Sequence, residues 1–441
     1  MGGLLQPAAA RRPGDRGNPN ANLLTGMRVG IDYTAAAWQG AGIGRYTREL
    51  VRAIVALDDT FEYRLFYATG GIDRSSAYLA ELQALCAAHP SVRAVPIPLA
   101  PRRLTQLWQR LRVPLPVEVF TGPLDLLHAP DFVPPPTRAR ALVTIHDLSF
   151  MVHPECAAPG MARYLNRAVP RGVRRADLLL ADSQATRQDL IRLLGVDPAR
   201  VVVIYPGVAP QFRPLPPEQT EPVRRKFALP ERFLLFVGTL EPRKNLVRLL
   251  EAFARAIEPG TENSEQHVTQ PIVHTTQRLL RELHLVIAGR RGWLYEEIFA
   301  AIERLRLNER VRLLDFVDDN DLPALYNLAW AFVYPSIYEG FGIPLLEAMA
   351  CGTPVLTADN SSLPEVVSDA ALLVRAEEVA SIAAGVTQIV CDEPLRARLR
   401  AAGPERARAF SWERAAQQVL ACYRRLIHPP WPQTRIARPP R

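Results

Sequence analysis

A chain of 441 residues is longer than one hydrophobic core organises, so two domains of ordinary size are expected. Hydrophobic residues make up 48% and charged residues 22%, yet no apolar run approaches the roughly 20 residues of a bilayer crossing, which excludes a membrane-spanning helix. The formal charge of +8 admits phosphorylated substrates or an anionic membrane face; without an aromatic-and-basic RNA motif, zinc finger or basic helical stripe, nucleic acid is set aside.

Residues 1–26 carry three arginines and several Pro and Gly but no apolar h-region, and read as a disordered extension rather than a signal peptide, which places the chain in the cytoplasm. The five cysteines (Cys86, Cys156, Cys351, Cys391, Cys422) are odd in number and scattered, which argues against disulfides and zinc sites. Short apolar runs then alternate with amphipathic stretches: RVGID, DLLH, ALVTI, LLLAD and VVVI in residues 27–208, and FLLFVG, LHLVIAG, AFVYPS and PVLTAD in residues 231–410. This is the βαβ grammar of a parallel sheet covered on both faces, met twice, with a Pro-rich linker at 209–230. The fold class expected is α/β, two Rossmann-like doubly wound domains facing a cleft. A polar segment at 260–277 reads as an insertion, SWERAAQQVLACYRRL (411–428, N-capped by Ser411) as a helix returning to the first domain, and 429–441 as a disordered tail.

In the first half the strand RVGID is joined to a helix through Gly40, Gly42 and Gly44; the loop is too long for a dinucleotide fingerprint, which weighs against a nicotinamide-dependent oxidoreductase. Arg45 follows, a candidate for an acceptor phosphate or a solvent-exposed helix-start residue. His128 and His146 stand at the carboxyl ends of strands, where ligands sit in doubly wound folds. In the second half, VGTLEPRKN puts Arg243 and Lys244 after the first strand, where adjacent cations can neutralise a diphosphate. Lysine is rare here: Lys226 and Lys244 are the only two among 53 basic residues, so an ammonium at 244 reads as a specific choice. The segment YEGFGIPLLEAMACG (Tyr338 to Gly352) runs from a strand through a glycine loop into a short helix with Pro344 in its first turn and Gly352 at its end. Gly340 and Gly342 permit close backbone approach, and the amides of Gly342 to Leu345 are expected to attract an anion. Glu339 and Glu347 flank the turn, suited to hydroxyls of a sugar and a ribose. The acidic run Asp318 to Asp321 reads as a helix cap ahead of LPALYNLA, not a metal motif.

Taken together, the Arg-Lys pair and the E-x7-E segment resemble the retaining glycosyltransferases of family 4, with their GT-B fold, over nearly all of residues 27 to 427; Ser368 departs from the glycine common there. The resemblance implies transfer of a sugar from a nucleoside-diphosphate sugar, GDP-mannose first and a UDP-sugar second, to a glycan or lipid-linked acceptor, without cofactor or metal. It assigns Arg243, Lys244, Gly340, Phe341, Gly342, Ile343 and Glu347 to the donor, and Gly42, Gly44 and Arg45 to the acceptor-side loop. The catalytic group is Glu339, His128 and His146, with His128 favoured over His146 as donor contact. Peripheral contact with the inner membrane face also follows from such acceptors. The competing expectation is a catalytically silent nucleotide-sugar-binding subunit, against which both cations and both glutamates weigh.

Overall fold

The computed structural model describes residues 26–40, 42–258 and 277–427, so the extension, insertion and tail fall outside the described residues apart from Gly26 and Gln277 at their edges. In the first lobe β1 (Arg28–Asp32), β2 (Glu62–Ala68), β3 (Val92–Ile97), β4 (Leu126–Ala129), β5 (Arg140–Ile145), β6 (Leu178–Ala181) and β7 (Val201–Val203) form a parallel sheet in the order β3-β2-β1-β4-β5-β6-β7. The second lobe arranges β8 (Phe233–Val237), β9 (His284–Ala288), β10 (Val311–Leu313), β11 (Ala331–Tyr334), β12 (Val355–Ala358) and β13 (Ala371–Val374) as β10-β9-β8-β11-β12-β13, again parallel. Each sheet reverses its strand order beside its first strand, where open α/β sheets place ligands.

Seven helices bear on the argument: α1 (Ile43–Leu57), α2 (Met161–Arg175), α3 (Gln184–Leu194), α4 (Pro217–Lys226), α5 (Leu246–Ile257), α6 (Ile343–Ala350) and α7 (Trp412–Ile427). Period-two alternation splits the first-lobe core between its two faces. Leu126, Leu142, Leu178 and Leu180 pack with α1 and α7, whereas Val143, Ile145, Leu179 and Ala181 pack with Val169 and Val173 of α2 and Leu190 of α3. The linker is no loose tether, since Ala209, Phe212 and Leu229 join the second-lobe core and α4 lies between them.

Helix α7 belongs to the first lobe by packing: Val419, Leu420, Tyr423 and Leu426 are part of its core. Its start is capped by Ser411, whose Oγ accepts from the Arg414 amide at 3.1 Å. The chain crosses between lobes at two places that touch. A Cβ on Gly207 would lie 2.1 Å from the Trp412 nitrogen, so only glycine fits, and the Val208 amide donates to the Phe410 carbonyl at 3.3 Å.

One local expectation is corrected and one departure explained. No side chain of the acidic run caps Leu322–Leu328; Asp321 instead pairs with Lys226 at 2.6 Å, and Asp318 accepts from the Asn320 amide within its own turn. Ser368 takes φ +52°, ψ −122°, a region that favours glycine, which accounts for the departure noted above being a strained one. Ser368→Gly is therefore expected to raise stability by about 1 kcal/mol after the larger unfolded-state entropy of glycine is subtracted. Urea denaturation monitored by circular dichroism checks this; a loss of stability would show that the turn is unstrained.

Candidate functional site

The loops after β8 and β11 meet at the mouth of the second sheet and hold one buried carboxylate between two cations. Arg243 Nη1 donates to Glu339 Oε2 at 2.7 Å and to the Tyr338 carbonyl at 2.9 Å, and Nη2 reaches Glu241 at 2.8 Å. Lys244 Nζ donates to Glu339 Oε1 and to the Tyr334 hydroxyl, both at 2.6 Å. Burial alone would raise the Glu339 pKa, but Arg243 and Lys244 outweigh it and hold the group at about 2, an ionised carboxylate. Asn245 anchors the same turn by donating to the Pro335 and Ala376 carbonyls at 2.9 and 2.7 Å. Arg243, Lys244 and Glu339 are thus brought together, with Tyr334 and Glu241 as members that no motif had marked.

Helix α6 starts at Gly342 (φ +101°) with no side chain capping it. Of the four amides expected to face an anion, Pro344 has none and Leu345 donates to the Gly342 carbonyl at 3.0 Å. Gly342 and Ile343 remain, without an acceptor among the described residues. Phe341 points into the apolar packing, its ring against Tyr205 and Phe410 at the crossing between lobes. Glu347, one turn into α6, is buried and accepts from the Tyr326 hydroxyl at 2.9 Å.

The other partner of Glu347 comes from the first lobe. Arg45, in the first turn of α1, reaches across the cleft to Glu347 Oε1 at 2.8 Å, with its guanidinium over the Phe212 ring at 5.0 Å from the centroid and Asp319 at 3.9 Å. Arg45 is therefore neither a solvent-exposed residue nor free for an acceptor phosphate here: the buried carboxylate opposite is the anion it meets. Gly42 is the residue before α1, and Gly44 packs on the Gln39 carbonyl, so both shape the loop that aims Arg45.

The structure separates the two histidines by burial and partners. His128 lies one residue inside β4 on the face covered by α7, is 1% exposed, and bonds the Tyr423 hydroxyl at 2.7 Å and Thr144 Oγ1 at 3.2 Å. Burial, then the neighbouring His146, lower its pKa to about 3, so it is a neutral imidazole packed beneath α7. His146 follows the end of β5 and does reach the cleft. Its Nδ1 donates to Asp182 at 2.7 Å and its Nε2 to the Pro130 carbonyl at 2.9 Å. Burial opposes its charge, but Asp182 and then Asp131 overcome this and raise the pKa to about 9. A doubly donating imidazolium has no lone pair to act as a base.

The lobes touch closely around this site. A Cβ on Gly340 would stand 1.9 Å from the His146 carbonyl oxygen, so the glycine there lets two backbones meet. Tyr338 donates to Asp189 of α3 at 2.6 Å, Trp293 donates to the Cys156 carbonyl at 2.8 Å, and Glu365 accepts from the first two amides of α3, each at 3.1 Å, where the helix dipole favours an anion. Glu365, Asp182 and Asp189 carry no periodic or motif signal and were not legible beforehand. A cavity of about 610 Å³ opens beside Tyr338 between His153, Gln188 and Asp189 of one lobe and Asn360 and Ser361 of the other. Its size suits a small polar ligand.

Residues 218–406 match the family model described as Glycosyl transferases group 1, and residues 40–212 match Glycosyltransferase Family 4. The chain is 32% identical over 390 residues to the O-antigen chain mannosyltransferase B of Escherichia coli, covering 87% of this chain and 96% of that protein. It is 29% identical over 255 residues to the serotype-specific mannosyltransferase WbdA of Escherichia coli, covering 57% of this chain but 29% of that longer protein. Among solved structures, Anabaena Alr3699/HepE in complex with UDP and glucose superposes with a TM-score of 0.67 at 20% identity, covering 90% of this chain and 99% of that one, which shows the shared GT-B fold.

The His146–Asp182 pair makes stability depend on pH. Because the folded pKa of His146 is raised from 6.5 to about 9, its contribution is complete below pH 6.5 and is lost as pH rises through about 9. Melting temperature should fall across that window, and Asp182→Asn should flatten the slope. Gly340→Ala is expected to hold the lobes apart and lower turnover by at least about tenfold, with each lobe still folded. A larger radius of gyration in X-ray scattering, beside steady-state rates, checks it.

Proposed function

The chain belongs to the group 1 and family 4 glycosyltransferases, and from that premise we propose that it transfers mannose from a nucleoside-diphosphate sugar to a glycan or lipid-linked acceptor hydroxyl with retention of configuration. GDP-mannose is the first donor and a UDP-sugar the second; the likeness to the Escherichia coli mannosyltransferase supports the sugar. The observation that carries the reading is the convergence of Arg243 and Lys244 on Glu339 beside the uncapped start of α6.

The two cations are balanced by Glu339 and Glu241. An incoming diphosphate shares them, together with the Gly342 and Ile343 amides, and leaves Glu339 oxygens available to the hydroxyls of the donor sugar. Glu347 takes the ribose hydroxyls once Arg45 yields one of its oxygens. The bond from the anomeric carbon to the diphosphate oxygen then breaks while the acceptor oxygen bonds to the same face of that carbon. The acceptor proton passes to the departing diphosphate, whose growing charge Arg243 and Lys244 stabilise. The front-face route needs no second carboxylate as nucleophile, unlike the double displacement of retaining glycosidases. His146, already doubly protonated, takes no part as a base and acts as a fixed positive strut. Because arginine and lysine supply the neutralising charge, the scheme calls for neither metal nor cofactor.

Lys244→Met is expected to lower kcat/KM by about 100-fold or more with Arg243 still pairing Glu339. Arg243→Ala with Lys244→Ala goes further, because it strands a buried carboxylate and costs about 3–5 kcal/mol of stability as well. Release of nucleoside diphosphate from donor plus lipid-linked acceptor is the readout, and near-normal release in Lys244→Met would sink the assignment. A silent subunit would instead bind donor and release nothing. A thermal-shift screen should show a larger rise with GDP than with UDP; the reverse order selects the UDP-sugar.

A further inference from the structure

The transfer scheme makes no use of the cavity beside Tyr338, and the cavity is built apart from the diphosphate site. Arg243 and Lys244 follow β8, whereas the second-lobe wall of the cavity comes from the loops after β11, β12 and β13: Tyr338, Asp359 to Ser361, and Arg375 to Glu378. Tyr338 divides the two places. Its carbonyl accepts from Arg243 at 2.9 Å, and its hydroxyl donates to Asp189 in the cavity at 2.6 Å. The opposite wall is one face of α3, where Ala185, Gln188, Asp189 and Arg192 recur at helical spacing. The enclosure of about 610 Å³ thus exists only with the lobes together, and an occupant would touch both.

The polar groups define what fits. Arg192 is held by Asp189 at 2.6 Å and Arg375 by Glu378 at 2.8 Å, so both guanidinium groups are already matched to a carboxylate. Asp359 and Glu377 are exposed and have no cation partner among the described residues, which leaves the cavity net negative and unfavourable for an anion. No three acids among the described residues converge as metal ligands. Carboxylates accept, the Gln188 and Asn360 amides donate and accept, and the Ser361 hydroxyl does either, a set that matches the adjacent hydroxyls of a sugar ring.

One strained residue ties this wall to the transfer site. Ser361 takes φ +49°, a left-handed backbone that favours glycine, and its Oγ accepts from the Glu339 amide at 3.0 Å while donating to Asn360 Oδ1 at 3.0 Å. Strain of this kind collects at ligand-binding loops.

We propose that the cavity is a carbohydrate-holding subsite, which takes a neutral sugar unit of the acceptor glycan behind the unit being extended. Naming that sugar as part of the acceptor rests on the function proposed above; the affinity of the cavity for a neutral sugar does not. A unit held on the far side of Tyr338 from Arg243 does not react, so its contacts strengthen acceptor binding without acting on the bond exchanged, and they lower KM for longer acceptors.

The test is isothermal titration of the full chain with mannotriose and with mannose 6-phosphate. Binding is expected with the first and not the second. Gln188→Trp, which fills the cavity from an exposed position, should weaken mannotriose by at least about tenfold, and Asp359→Ala, which removes one charge-assisted hydrogen bond, by about tenfold. Both variants should melt at the native temperature and bind the better held of GDP and UDP as the native chain does. In steady state the native KM should be lower for a three-sugar than for a one-sugar acceptor, and either variant should bring the two values together, which a general loosening of the fold does not do. Mannotriose that fails to bind, that binds Gln188→Trp as well as the native chain, or that binds more weakly than mannose 6-phosphate overturns the proposal. Mannotriose binding that depends on Gln188 and Asp359 in a chain that binds neither nucleotide upholds the subsite and sinks the transferase reading. Nucleotide binding and sugar transfer without mannotriose binding do the reverse.

Discussion

A carboxylate without water must be paired, and the second lobe is arranged around that requirement at Glu339. Its two oxygens are taken by Arg243 and Lys244, one each, so the loop after β11 cannot move without the turn after β8. The two cations need supports of their own, which Tyr334, Glu241 and Asn245 provide. The choice of lysine at 244 becomes physical at this point. A compact ammonium fits between a phenol and a carboxylate at 2.6 Å each, where a planar guanidinium would need a wider fork.

The same economy of charge joins the lobes. Arg45 answers Glu347, Glu365 answers the amides of α3, and Tyr338 answers Asp189, so each of these three contacts pairs a polar group of one lobe with one of the other. These contacts surround the Gly340–His146 backbone approach, which leaves no room for a side chain. Closure is consequently set by main-chain shape, with side-chain pairs adjusting around it. On the donor mode proposed above, a ribose would compete with Arg45 for the Glu347 carboxylate.

What was legible in the sequence was what local chemistry dictates. Strands with near-continuous apolar residues, such as LLLA and FLLFV, announce burial on both faces, and the Arg-Lys and E-x7-E segments carry their residues within a few positions of one another. Strands β2, β3, β10 and β13 were less plain: EYRLFYA mixes charge with apolar residues, and VRL is three residues at a sheet edge. His128 and His146 could not be told apart from spacing, because the difference is whether the residue stands inside the strand, where alternation sends it beneath α7, or just past its end. Arg45 and Glu347 are separated by three hundred residues of chain, and nothing local to either says that they meet.

The paired crossings at Gly207–Val208 and Phe410–Trp412 have a mechanical meaning. A body tied to another by a single strand can swivel, twist and drift about that point. Two strands bonded side by side, through the Val208 amide and the close seat of Gly207 on Trp412, define a line instead of a point. The motion left to the lobes is a rotation about that line, like a door on two pins. An opening about that line would carry the Gly340 loop away from the His146 carbonyl and return it in the same register.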